Sequence, residues 1–237
     1  MDRFLKQTPL LNYEASQIQE LINQRKWQEL TYYDKIHMIY NFVRDEIPFG
    51  YNQDDVIPAT QILFDGYGQC NTKTILFMAL LRAVGIPCRI YGTWIDKSVQ
   101  KGVVPFIYYL LAPKKLLHSW ADVYYEGDWY SMEGLIIDTP YLKSVQEKFA
   151  ANNGPFCGLG ISVDDLSNPN VEWNKCDTCI QKGAVTDYLG IFDSPDDLYT
   201  KYAQTLSRFK QTIYSHFVRH LMNRKCKRIR KSMRHFE

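Results

Sequence analysis

Apolar residues in "TYYDKIHMIYNFVRDEI" fall at positions 36, 39, 40, 43 and 47, the spacing of one helix face. Thr31 and Asp34 stand as a capping box at its start, so the pattern predicts a helix of about four turns. From Asn71 to Val84 nearly every position is apolar or a good helix former, and Gly85 followed by Pro87 ends the run, the expected order of glycine cap then proline. A helix apolar almost all round belongs at the centre of a core. The segments "CRIYGTWI", "VVPFIYYLL", "HSWADVYYE" and "DWYSMEGLII" are rich in β-branched and aromatic residues and read as strands. "EGD" at 126–128 joins the last two as a tight hairpin, since glycine tolerates positive φ. Helices first, then an antiparallel sheet, is an α+β layout.

Residues 141–193 carry Asn, Gly, Pro and Asp clusters around short apolar pieces and are expected to be mostly loop. Ser194 then stands as an N-cap before Pro195 and two acids, and apolar positions 198, 202, 206, 209, 213, 217 and 221 continue one face. That predicts a helix of about six turns, the longest of the chain. The expected organisation is one domain over 1–193 and a long basic helix over 194–237 packed on it.

Composition adds bounds. With 237 residues, 46% of them hydrophobic and 14% aromatic, the chain can bury a substantial core. No apolar run reaches the length of a membrane span, and the opening "MDRFLKQTPLLNYEASQ" lacks the order of a secretory signal; the expectation is a cytoplasmic protein. Six cysteines at 70, 88, 157, 176, 179 and 226 are too sparse for a disulfide framework, so each is expected as a thiol. Cys176 and Cys179 form one C-x-x-C without a second ligand pair, and nothing in the sequence demands a metal, nucleotide or flavin. The net charge of +2 is uneven: 198–236 holds eleven bases and no acid, leaving 17 bases against 26 acids elsewhere. Interspersed Leu, Met, Ile and Phe make that tail a candidate for an acidic partner or anionic surface; no stable nucleic-acid binding is expected, and the oligomeric state is open.

Candidate chemistry centres on Cys70, at the first turn of the central helix, where free N–H groups and the helix dipole favour a thiolate and could hold an oxyanion. A nucleophile needs a base and the base an orienting group. Among five histidines, His118 opens a strand whose hairpin partner returns past it; pairing 124 with 130 puts residues 118–120 opposite about 134–136. Glu133 is then the near acid and Asp138 its rival. Trp120, two residues on from His118, shares its strand face and is a candidate wall of the site. Gln69 and Gln61 are candidate oxyanion donors, and Cys88 is expected to pack as a small hydrophobe.

Taken together, "ILFDGYGQCNTKTILFMALLRAVGIPCRIYGTW" and "HSWADVYYEGDWYSMEG" resemble the core of the transglutaminase-like superfamily of papain-like cysteine enzymes. The resemblance rests on Gly68 and Cys70, on Leu80 to Pro87 with Arg89, on His118 with Trp120, and on Trp129; it spans about residues 32–140. It implies a papain-like core in which the buried helix carrying the Cys packs on an antiparallel sheet, with Cys70 as nucleophile, His118 as general base and acid, and Glu133 in the slot where aspartate is usual. The implied reaction is acyl transfer from an amide of a protein or peptide through a thioester, by hydrolysis or by amine capture. The alternative is a catalytically silent binding module whose basic tail contacts an anionic partner.

Overall fold

The structure, a computed structural model, describes residues 1–152, 154–202 and 208–231. Its helical layer comprises α1 (Ser16–Arg25), α2 (Tyr32–Asn41), α3 (Ala59–Asp65) and α4 (Cys70–Ala83). Thr31 Oγ1 accepts from Asp34 N at 3.2 Å to cap α2, and the helix runs on into a wider π turn over Phe42–Glu46. In α4 every residue from Asn71 to Arg82 is buried, and Gly85 ends it at φ 81°, a conformation glycine reaches without steric cost.

β1 (Cys88–Asp96), β2 (Lys115–Tyr125), β3 (Asp128–Met132) and β6 (Val185–Phe192) form a sheet in the order β3-β2-β1-β6, antiparallel throughout. Glu126 and Gly127 both take positive φ between β2 and β3, the tight hairpin that matches strand twist. The register pairs Tyr124 with Trp129, one residue from the expected 124–130 pairing. Residues of α1, α2 and α4 pack with the inner face of β1 and β2 around Trp27, Tyr40, Phe77 and Trp173.

Two expectations are corrected. "VVPFIYYLL" contains not a strand but helix α5 (Phe106–Leu111), started at Pro105 and buried nowhere along its length; its aromatic content mimics a strand, yet Phe106, Ile107, Leu110 and Leu111 face outward. Residues 141–193 are more ordered than a loop: α6 (Thr139–Lys148), the pair β4 (Phe156–Gly158) with β5 (Ile161–Val163), and β6 lie there. In the C-terminal stretch lie α7 (Pro195–Tyr202) and then α8 (Arg208–Ile213), a π turn over Tyr214–Val218 and α9 (Arg219–Lys231), the last three following one another without a gap. Part of the predicted run, 203–207, and the tail from 232 lie outside the described residues. Ser194 Oγ caps α7 by accepting from Asp197 N at 3.2 Å. Val218, Met222, Cys226 and Ile229 turn inward into a second cluster with Phe49, Tyr141 and Ile161. Among the described residues no helix is long and apolar enough to cross a membrane.

Candidate active site

The chain enters α4 through a tight approach. A Cβ on Gly68 would lie 2.8 Å from Thr72 Oγ1 and 2.9 Å from Lys73 Cγ, so only glycine lets the loop close against the first turn. Cys70 is the first residue of the helix, half-buried at the rim of the second cluster. At that position its N–H has no acceptor within the helix.

Four consecutive polar residues follow Cys70, and all are buried to 1% exposure or less. Each has a defined partner. Asn71 Nδ2 donates to Leu117 O at 3.0 Å and its Oδ1 accepts from Ser119 Oγ at 2.9 Å, so one side chain grips β2 on both sides of His118. Thr72 Oγ1 accepts from Gln69 N at 3.0 Å and donates to Asn52 Oδ1 at 2.6 Å. Lys73 Nζ donates to Arg44 O and Ile136 O, both at 3.0 Å, and burial lowers its amine to about 7. Thr74 Oγ1 donates to Ser119 O at 3.2 Å. The first turn of α4 is thereby bonded to β2 at the level of the histidine.

His118 is fully buried. Its Nε2 lies 2.7 Å from Glu133 Oε1; a carboxylate can only accept, so Nε2 carries the proton. Glu133 Oε2 in turn accepts from Ile180 N at 2.9 Å and Gln181 N at 3.2 Å, which fixes both carboxylate oxygens. The Cys70 thiol is the ring's other neighbour, acting on it by charge and as a hydrogen-bond partner. Nδ1 is buried and has no hydrogen-bond partner of ordinary geometry within the protein. Burial alone would depress the imidazolium, but Cys70 and Glu133 beside it prevail and push its pKa up to about 10.

The two acids have separate places. Asp138 caps α6, accepting from Tyr141 N at 3.1 Å, and binds Arg230 through Nε at 2.8 Å and a second guanidinium nitrogen at 2.6 Å; it does not touch the imidazole. Trp120 tilts against the His118 ring at 5.7 Å between centroids and stacks on Tyr91 at 4.8 Å, with Nε1 donating to Ser131 Oγ at 3.2 Å. It backs the ring and is not on the cavity wall. Gln69 stands next to Cys70, but its Oε1 accepts from Asn52 N at 2.9 Å and its Nε2 donates to Asp55 Oδ1 at 2.5 Å. Gln61 is exposed on α3, bonded to Asp65 at 2.7 Å, away from the thiol. Cys88 is fully buried, as a packing residue is expected to be, and burial pushes its thiol up.

Beside Cys70 opens a cavity of about 420 Å³ whose wall includes Gln69, Cys70, Asn71, Leu117, Gln181 and Tyr199, a size suited to a substrate side chain or small ligand. Its wall also takes Tyr214, Val218 and Met222 of the C-terminal helices and Tyr51, Asp54, Asp55 and Val56. Sequence reasoning missed this wall, and missed Asn71, Asp55 and Gln181. The run of polar residues inside an otherwise apolar helix was the available signal for Asn71.

Comparison with curated proteins gave no match. Among solved structures the chain is similar to the crystal structure of a "Putative Cysteine Protease from Cytophaga hutchinsonii", with 13% identity and a TM-score of 0.47, covering 82% of this chain and 47% of the other. The chain thus spans about half the length of that protein. The family model described as the transglutaminase-like superfamily matches residues 20–134, a segment that holds Cys70, His118 and Glu133. That segment of the chain, just under half of its 237 residues, is thus similar to the transglutaminase-like superfamily.

Proposed function

We propose that this protein is a cysteine-dependent acyl-transfer enzyme acting on an amide of a protein or peptide, with Cys70 as nucleophile, His118 as general acid and base, and Glu133 as the group that orients the ring. The observation that carries the reading is a fully buried imidazole held by a carboxylate at 2.7 Å on Nε2 and facing a helix-terminal thiol with the other nitrogen unbonded. Nothing in a purely structural role requires a buried ring to keep one nitrogen unsatisfied beside a thiol, because such an orphan costs free energy. The superfamily match over the same residues supports it.

In the proposed sequence His118 Nδ1 takes the Cys70 thiol proton as Sγ attacks the amide carbonyl carbon, and the N–H of Cys70 holds the oxyanion. The C–N bond breaks as His118 delivers its proton to the leaving nitrogen. The thioester left on Cys70 is then attacked by water or by an amine, whose proton returns to the ring, and the thiolate is released. Hydrolysis and amine transfer share every residue named here.

Iodoacetamide alkylation followed by mass mapping tests the nucleophile. Cys70 is expected to react faster than Cys88 and to retain that advantage below pH 8, the range where an ordinary thiol is mostly protonated. Equal, slow alkylation of the two would remove the activated thiol.

The basic tail has a place in this reading as well. Arg224, Lys225, Lys227, Arg228 and Lys231 are exposed on α9, and charge repulsion from Arg219, Arg224 and His216 adds to burial in lowering His220. We propose that this face meets an acidic partner or anionic surface; binding that does not weaken with salt would argue against it.

A further inference from the structure

The acyl-transfer reading leaves the cavity beside Cys70 without an occupant, and its wall has a one-sided charge. Among the described residues the charged groups lining it are two carboxylates, Asp54 and Asp55, with no lysine or arginine. Asp55 sits next to the nucleophile's turn, bonded to Gln69 Nε2 at 2.5 Å. Three other acids carry arginines, Asp138 with Arg230, Asp122 with Arg89 and Asp45 with Arg44, while the buried Glu133 is held by His118 and two backbone N–H groups. Asp55 has only amide partners. A second atom points the same way. Gln181, 4% exposed and on the same wall, donates its Nε2 to Gly160 O at 2.5 Å, which fixes the amide orientation and leaves Oε1 buried without a donor. Between these polar ends run Val99, Val104, Leu116, Val218 and Met222.

We propose that this cavity is a specificity subsite for a basic side chain, lysine or arginine, on the residue whose carbonyl Cys70 attacks; it rests on the acyl-transfer reading. Because Cys70 itself lines the cavity, the side chain that enters belongs to the residue at the thiol. The aliphatic stem lies along the apolar wall, the cation meets Asp55, and an N–H of the peptide supplies Gln181 Oε1 with the donor it lacks. Both needs are unmet in the protein alone: burial raises Asp55, only partly offset by Gln69 and Asn71, and a lone buried acceptor is costly. An anionic or plain apolar side chain would leave Asp55 without a counter-charge.

The test uses the full chain and three tripeptidyl chloromethyl ketones that differ only at the residue bearing the electrophile: lysine, norleucine and glutamate. The readout is the rate of Cys70 labelling by intact mass. Lysine is expected to label on the order of tenfold faster than norleucine, with glutamate slowest, and Asp55→Asn, which keeps an acceptor for Gln69, is expected to bring lysine down to the norleucine rate. Competition by n-butylamine separates the sources of the cation: slowing of the lysine probe places the charge itself in the subsite. Equal rates for lysine and norleucine, or a fast glutamate probe, overturn the subsite while leaving Cys70 as nucleophile. Labelling by none of the three, with iodoacetamide still modifying Cys70, would overturn the acyl-transfer reading and the subsite with it. Should Asp55→Asn fail to fold, the three probes on the unaltered protein decide.

Discussion

The His118 ring shows how two neighbours override burial. Its pKa stands at about 10 because Cys70 and Glu133 favour the cation more strongly than desolvation opposes it. If activity needs the protonated ring, the alkaline limb of kcat/KM lies near pH 10, as a property of the coupled thiol and imidazole. Glu133→Gln removes one of the raising influences, so the limb is expected to move to lower pH and kcat to fall; an unmoved limb would take the carboxylate out of the mechanism. Lys73 has the opposite sign. Burial lowers its folded amine to about 7 from an ordinary 10.5, so between those values the unfolded chain binds the extra proton and stability rises with pH. Lys73→Met removes that contribution: the urea-derived stability of the wild type minus that of the variant should climb from pH 7 to 10, with a slope approaching about 1.4 kcal/mol per pH unit. The residue scale is also where the sequence was least decisive. Glu133 and Asp138 are both acids after Trp129, and what separates them is that Asp138 precedes Thr139 and Pro140, a helix start. That cap signal was present in the letters, whereas the arginine that occupies Asp138 lies ninety-two residues away and no local pattern announces it.

At the scale of elements, periodicity carried α2 and α4, and β-propensity with a glycine turn carried β1, β2 and β3, because each of these buries a regular face. It failed where burial is partial: α5 is apolar yet outward-facing, and β6 alternates weakly with most of its residues only half-covered or exposed. The candidate site was legible as Cys70, the first residue of α4, and His118, the fourth of β2, since both elements are strongly patterned. What joins the elements was not, because "NTKT" reads as an ordinary helix start. Asn71→Asp tests that joint. The carboxylate cannot donate to Leu117 O, so two buried acceptors would face each other; a loss of about 2–3 kcal/mol in unfolding experiments is expected, together with a lower kcat, as the rim of α4 loses its hold beside His118. Gly134 is a second joint. A Cβ there would lie 2.5 Å from Tyr40 Oη and 2.8 Å from Val171 Cα, so Gly134→Ala is expected to destabilise by about 1–3 kcal/mol and to displace the adjoining Glu133, visible as a depressed His118 pKa in NMR titration.

On the scale of the whole molecule, Cys70 starts the helix that runs through the first hydrophobic cluster and packs against the second, which α9 closes. Its anchor is Arg230, which binds Asp138 and Phe49 O. The arginine outweighs burial and holds the Asp138 carboxyl below its usual value, so the pair supports the fold above the ordinary carboxylate range and gives way as pH falls through the lowered pKa. Arg230→Met leaves that acid buried and uncompensated; a cost of about 3 kcal/mol at pH 7 is expected, with faster proteolysis in α9 than in α4. The polar quartet after Cys70 has a consequence for how the chain becomes active. Four polar side chains cannot enter an apolar interior before their acceptors on β2 and the neighbouring loops are in place. Helix and strand must therefore dock together, in one cooperative step, and partly folded forms hold thiol and imidazole apart. Hydrogen exchange at Lys73 N, which donates to Gln69 O at 2.8 Å, should then proceed only through global unfolding, so that the placement of thiol beside imidazole and the folded state appear and vanish as one.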